Sequence, residues 1–334
     1  MAESPTRTNN HRRGLRLFII PPFITAAYPL RRRNETNPDR NCADMLYAPA
    51  QFICPLDSGI VRVLGSFVNK ARRCTMKQML FIPTLIALLL IHAVGFAATE
   101  HDPITISAPG DLIRTNGITE GSGTESDPFV IADWVIDGST TGYGIVITGV
   151  KAYILIRDVM VQSASRVGIE VINSPHVALE ECEFHADALG LSLKDLSGAQ
   201  VRKCRFLDCT GMGIRMSHCR GSTIIGNEFS GRNSGIVIMD SSTSNLIVEN
   251  SFRGRAGLSL YLGSGGNRIF HNNFFEAVVM DSGYNVWDNG SEGNFWGKQY
   301  HGRDRNSDGI GDTPHKIQGG YNYDRHPLMA PWNK

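Results

Sequence analysis

A glycine followed by apolar, any and apolar residues recurs six times at a nearly constant interval. It stands at Gly144-Ile-Val-Ile147, Gly168-Ile-Glu-Val171, Gly190-Leu-Ser-Leu193, Gly213-Ile-Arg-Met216, Gly235-Ile-Val-Ile238 and Gly257-Leu-Ser-Leu260. A second anchor follows each glycine at an almost fixed offset: Met160, Phe184, Phe206, Phe229, Phe252 and Phe274. Two positions before these stand Asp158, Cys182, Cys204, Asn227, Asn250 and Asn272. Three positions earlier still is an aliphatic row, Leu155, Leu179, Val201, Ile224, Ile247 and Ile269.

Within each unit the apolar residues alternate with period two, the signature of short strands. A unit of ~22 residues has no room for a helix beside its strands, and it cannot bury its apolar face alone. Neighbouring units must stack. The expected fold is all-β: a single-stranded parallel β-helix, a solenoid of seven or eight ~22-residue coils with N- and C-terminal caps. Equivalent positions then form ladders. Ile147, Val171, Leu193, Met216, Ile238 and Leu260 point inward, and the aromatic row runs beside them. Asn227, Asn250 and Asn272 can bond amide to amide from coil to coil. Outside, Glu183, Arg205 and Glu228 alternate in charge on successive coils, as do Glu181 and Lys203. Trp134, Trp287, Trp296 and Trp332, with Tyr300, Tyr321 and Tyr323, flank the repeats and suit caps over the exposed core.

The solenoid occupies only part of the chain. Met76-Lys77-Gln78-Met79 opens an apolar run, Leu80 to Ala98, that ends in Gly95-Phe96-Ala97-Ala98. A basic start, an apolar stretch and small terminal residues read as a signal peptide over 76–98, with cleavage after Ala97; an uncleaved anchor is the alternative. Residues 1–75 carry 12 Lys and Arg against 5 Asp and Glu and show no periodicity. They read as a non-native or disordered extension ahead of a start at Met76, or as a basic tail before an anchor. The remainder is expected to divide into an N-terminal cap and first coils at 99–143, repeats at 144–275 and a C-terminal cap at 276–334. Residues 99–334 hold 20 basic and 27 acidic residues, a net charge of −7, which argues against nucleic acid as a partner. The membrane is met only through the signal or anchor segment.

At both ends of the repeat the sequence resembles a known family. Gly121-Ser-Gly-Thr-Glu-Ser-Asp-Pro-Phe-Val-Ile131, followed by Trp134-Val-Ile-Asp137, is similar to the opening coil of NosD-like proteins within the pectate-lyase-like superfamily. Gly293-Asn-Phe-Trp296, the run from Asp304 to Pro314, and Asn322-x-Asp324-x-x-Pro327-Leu328 look like the closing segment of that branch. The resemblance covers essentially all of 99–334. It implies a right-handed helix with three sheets per coil, a periplasmic or cell-surface location, and for the name-giving members an accessory role linked to copper.

Three clusters could carry chemistry. Asp304, Asn306 and Asp308, followed by Gly309, match positions 1, 3, 5 and 6 of a calcium loop, with the Ile310 carbonyl at position 7 and Asp312 at position 9. Position 12 is His315 rather than a bidentate glutamate, so Asp324 or another carboxylate would have to complete the shell. Cys204, Cys209, Met212, Met216, His218 and Cys219 are Cu(I) ligand types crowded into one repeat length, though without a standard spacing. Cys182 and Cys204, on adjacent coils, could be stacked thiols or a disulfide. Asn173, Asp195, His218 and Asp240 share one position after the glycine, and Glu170, Ser192 and Arg215 share an outward strand position. Glu170, Arg215, Asp195 and His218 therefore form a candidate ligand face, most simply a polar turn and sheet surface. No catalytic residue is assigned, because the stronger signatures of pectin-degrading enzymes and epimerases are absent.

The expected function is an exported, non-catalytic NosD-like binding or accessory protein stabilised by Ca²⁺, with a glycan or a periplasmic or surface protein as partner. The alternatives are a polysaccharide lyase, hydrolase or epimerase, and a copper-handling protein.

Overall fold

Short strands with alternate residues buried dominate the chain, and three of them make one coil. The computed structural model describes residues 99–333 except Ser234; the basic extension and the 76–98 segment lie outside the described residues. Equivalent strands of successive coils pair in parallel and form three eight-stranded sheets. The glycine sheet contains Ile104–Ile106, Tyr143–Thr148, Val167–Ile172, Leu189–Lys194, Met212–Ser217, Ile236–Met239, Ala256–Leu260 and Val278–Asp281. The aliphatic sheet runs from Phe129–Ala132 through Val177–Glu180 to Arg268–Phe270, and the aromatic sheet from Thr99–Glu100 and Trp134–Asp137 through Glu183–His185 to Asn273–Phe274. At the N-terminal end Ile118–Glu120 pairs antiparallel with Phe129–Ala132. The result is a right-handed parallel β-helix of about seven coils, with no α-helix among the described residues.

The register follows the repeat. Ile147, Val171, Leu193, Met216, Ile238 and Leu260 are successive partners, each at most 1% exposed. Phe184, Phe206, Phe229, Phe252 and Phe274 stack face to face with centroids 4.6–4.9 Å apart. The glycine row makes room for this stack. A Cβ at Gly190 would sit 2.8 Å from Phe206 Cδ1 and 2.8 Å from the Gly213 carbonyl oxygen, and a Cβ at Gly213 would meet Phe229 in the same way.

One coil departs from the expected register. Phe184 pairs with Val161, not Met160, and Leu179 with Ile156, not Leu155. Val159 is buried beneath Cys182, while Asp158 is exposed at the preceding corner. In this coil the inward position lies one place further from the glycine than in the next three. Met160 and Leu155 are half-buried apolar residues on the outer face that imitate the inward rows.

Corners turn through left-handed residues. Asn173, Asp195, His218 and Asp240 have φ between 47° and 55°, and Asp158, Glu181, Lys203 and Glu249 between 52° and 59°. Asn and Asp tolerate this region; His, Lys and Glu are held there by pairing with the coils on either side.

Two amide columns run inside the solenoid. In the first, Nδ2 of Asn227 donates to Oδ1 of Asn250, Asn250 to Asn272, and Asn272 to Asn294, at 2.9–3.0 Å. In the second, Asn245 donates to Asn267 and Asn267 to Asn285, each at 2.9 Å. Each column ends on an aspartate that also accepts an indole N–H. Asp324 takes Asn294 and Trp296, and Asp281 takes Asn285 and Trp287. The two tryptophans, each 1% exposed, cover the last phenylalanine of the stack. Tyr321 and Tyr323 take no part in this cap, being 90% and 45% exposed.

Candidate functional site

The glycine sheet turns one outer face to solvent. Strand pairing sets Glu170, Ser192 and Arg215 in one column across three coils, as the shared position requires. Arg215 Nη2 donates to Ser192 Oγ at 3.1 Å. Beside this column lies an open groove of about 440 Å³, lined by Tyr143, Arg166, Glu170 and Arg215 with Leu189 and Met212. The Arg166 guanidinium lies 5.1 Å from the Tyr143 ring centroid, a cation–π arrangement that orients it. Tyr143 and Arg166 escaped the sequence reading. They stand one and two places before repeat glycines, so the repeat itself held the signal.

Asp195, His218 and Asp240 meet at the neighbouring corner. His218 Nδ1 is 3.2 Å from Ser217 Oγ and 3.7 Å from Asp195 Oδ1, while Ser217 Oγ donates to Asp240 Oδ2 at 2.7 Å. Serine and aspartate both approach the same ring nitrogen. All of these contacts lie at a corner where Asp195, His218 and Asp240 have positive φ, so they brace a left-handed turn. Charge alternation on the aromatic sheet is as expected. Arg205 Nη1 lies 2.5 Å from Glu183 and its Nε 3.8 Å from Glu228, and Lys203 Nζ is 3.1 Å from Glu181. These solvated pairs contribute ~0.2–1 kcal/mol each.

The 304–312 loop uses its own oxygens. Asp304 accepts the backbone N–H groups of Asp308 and Gly309, Asp308 those of Ile310 and the Asn306 side chain, and Asp312 that of Arg305. His315, at position 12, stacks on Trp296 at 4.2 Å, and burial pushes its ring down to about 4. Asp324 cannot complete a shell here: it is fully buried and bonded to Trp296 and Asn294. These bonds describe a loop built on Asx turns.

The soft residues separate onto different corners. Cys204 follows the aliphatic strand Gln200–Arg202, Cys209 follows the aromatic strand Arg205–Leu207, and Cys219 follows the glycine-sheet strand Met212–Ser217. The three cysteines are buried and Met216 is in the core ladder, while Met212 is half-buried and His218 exposed. No disulfide joins Cys182 to Cys204; the Cys182 thiol donates to the carbonyls of Glu180 and Ile156.

Four acids are buried among the described residues: Asp187, Asp281, Asp288 and Asp324. Burial raises the Asp324 carboxyl to about 6 despite hydrogen bonds from Trp296, Asn294 and His326, and it raises Asp281 as well. Asp187 is the least satisfied. Its Oδ1 accepts the Ala164 N–H at 2.7 Å, its Oδ2 has no hydrogen-bond partner, and burial raises it to about 7.

A family model described as periplasmic copper-binding protein (NosD) matches residues 98–302. The chain belongs to the NosD family. The match spans every coil and stops short of the 304–312 loop. No curated protein matches. Among solved structures, a plasmid-mediated fluoroquinolone resistance protein is similar at 12% identity and a TM-score of 0.31, over 67% of this chain and 90% of that one.

The NosD description raises copper, and the donors can be tested for fit. Copper(I) needs converging thiolates, thioethers or imidazoles. Here Cys204, Cys209 and Cys219 lie on three different corners, and burial pushes the Cys219 thiol up to about 11 and Cys182 above its ordinary value, which opposes the thiolate that binds metal. Among the described residues no three His, Cys, Asp or Glu side chains are placed to hold an ion together. The cysteine cluster does not fit copper.

Proposed function

We propose that the exported part of this NosD-family chain is a non-catalytic accessory protein of the periplasm, a rigid solenoid whose glycine-sheet face receives a partner. One observation carries this reading: the groove is lined by a single carboxylate and no imidazole, and the groups that could act as acid and base are kept apart. Glu170 and Arg215 are separated by the Ser192 coil, and His218 offers one nitrogen to both of its neighbours. Acid–base catalysis needs two groups within hydrogen-bond reach of one substrate atom or its neighbour. The periplasmic location rests on the family description together with the apolar segment at 76–98.

The test has two readouts. Cell fractionation is expected to place the chain in the periplasm. Purified protein is expected to release neither unsaturated ends nor reducing ends from acidic and neutral polysaccharides. Release of either product, lost in Glu170→Gln or His218→Gln, would replace this reading with an enzyme.

A further inference from the structure

We propose that Asn289 is a self-modification site: the Gly290 backbone nitrogen attacks its side-chain amide, ammonia leaves, and the resulting succinimide opens to aspartate and isoaspartate, loosening the C-terminal cap. The chain has two Asn–Gly steps, Asn116–Gly117 and Asn289–Gly290. In both, a glycine without a Cβ lets the following nitrogen approach the asparagine Cγ. The fold around them differs. At Asn116 the amide is locked. Its Nδ2 donates to the carbonyls of Thr105 and Asp111 at 2.9 and 3.0 Å, and the Gly117 N–H donates to the Arg114 carbonyl at 3.2 Å. A neutral carbonyl is no base for that proton. Asn289 lies on an exposed turn of the C-terminal cap, and there a base, an oxyanion cradle and an acid surround the amide.

The Gly290 N–H donates to Oδ1 of Asp288 at 3.0 Å, a carboxylate only 4% exposed. Asp288 can accept this proton as the nitrogen bonds to Cγ. The Asn289 carbonyl oxygen receives three donors: the backbone N–H groups of Ser291 and Glu292 at 3.0 and 2.8 Å, and the Ser291 hydroxyl at 3.0 Å. Negative charge gathers on this oxygen in the tetrahedral intermediate, and donors aimed at it lower the barrier. The leaving nitrogen, Nδ2, lies 3.4 Å from Nε2 of His271. That ring is held between Glu292, at 3.0 Å, and the stacked Trp332. Protonated His271 gives Nδ2 the proton with which it departs as ammonia. The Cγ–Nδ2 bond breaks as the bond from Cγ to the Gly290 nitrogen replaces it, and the proton on Asp288 returns to His271 through solvent. Water then opens the succinimide at either carbonyl. The isoaspartyl product adds a methylene to the main chain just before Gly293. The Gly293 carbonyl takes the His271 N–H and its N–H bonds His326, so the longer turn loosens the cap.

Peptide mapping by mass spectrometry tests the site in the purified chain, incubated folded at physiological temperature and pH. Asn289 is expected to convert to acid and isoaspartate roughly tenfold faster than Asn116. The same chain in urea is expected to convert Asn289 more slowly than the folded chain, because unfolding disperses Asp288, His271 and the oxyanion donors. Asp288→Asn and Ser291→Ala are each expected to slow conversion in the folded chain. Ser291 is exposed, so Ser291→Ala keeps the fold and carries the test should Asp288→Asn not fold. A turn that merely shields the amide predicts the opposite signs: faster conversion on unfolding and in both variants. Those signs, or equal rates at Asn116 and Asn289, would overturn the proposal. The converted chain, separated by ion exchange, is expected to unfold at lower urea than its parent, and an unchanged midpoint would overturn the effect on the cap.

Discussion

Trp296 donates its indole N–H to Oδ2 of Asp324 at 2.8 Å. The same oxygen accepts the backbone N–H of Asn294 at 2.7 Å. One buried carboxylate thus ends the amide column and fixes the ring that closes the core. Replacing it with leucine leaves the indole and amide donors buried without an acceptor, a cost of ~1–3 kcal/mol for each orphaned group. Asp324→Leu is expected to lower the urea midpoint by more than Asp324→Asn, which keeps an acceptor oxygen. Equal midpoints for the two variants would show that the carboxylate does not join column to cap.

The buried acids also set a pH dependence. Asp187 and Asp324 are raised to about 7 and about 6 from an ordinary 3.8. The folded state therefore holds their protons more tightly than the unfolded chain. Their contribution to stability is fully present below about pH 3.8 and is lost as pH rises through 6 and 7. For Asp187 the full span is on the order of 4 kcal/mol. Between pH 5 and pH 8 the protein is expected to lose stability, and Asp187→Asn is expected to flatten that slope and to gain stability at pH 8. Thermal unfolding across this range reads both, and an unchanged slope in the variant would refute the assignment.

Glycine is needed at the repeat position for space. A methyl group at Gly190 meets both an aromatic ring and a backbone oxygen at 2.8 Å, whereas at Gly198 nothing lies within 4 Å. Gly190→Ala must shift the phenylalanine stack or the next coil, a cost of ~1–3 kcal/mol or more. Gly198 has φ of 76°, so alanine there meets only the backbone penalty of about 1 kcal/mol. Denaturant unfolding is expected to rank Gly190→Ala as the more damaging.

Calcium is expected to add little. The carboxylates of Asp304, Asp308 and Asp312 already hold loop N–H groups, and no bidentate glutamate stands at position 12. At 1 mM calcium a site with Kd of ~10 µM would stabilise the fold by ~2.7 kcal/mol. We expect no measurable rise in Tm, and an increase abolished by Asp308→Asn would demonstrate a working site.

The repeat carried most of the fold because stacked coils translate sequence interval into spatial contact. The glycine, phenylalanine and asparagine rows could be read by counting. Counting failed in the coil containing Met160, where an outward apolar residue stood one place from the inward Val161. The second amide column went unread although its signal was present. Asn245 precedes Asn250 by five places, as Asn267 precedes Asn272. The polar row at Asn173, Asp195, His218 and Asp240 was legible as a turn through the tolerance of Asn and Asp for positive φ. Its hydrogen bonds were not, since they depend on side-chain directions across three coils. The cap was the least legible region. The Asn322 side chain reaches Asp281 from 41 residues away, and no local pattern announces such a contact.

The amide columns cover only part of the solenoid. The first begins at Asn227, which accepts the Cys204 N–H, and toward the N-terminus Cys204 and Cys182 occupy its place. Mechanically, this makes the β-helix a graded spring. Toward the N-terminus the corners are held by single acceptors, Ser174 on the Val150 N–H and Asp187 on the Ala164 N–H, and by the buried cysteine row, so tension on that end meets fewer linked side chains per coil. It then meets a rung where main chain and side chain must break together, and every rung beyond is braced from the far end by Trp296 and Trp287. The protein is built to yield from one side and hold from the other.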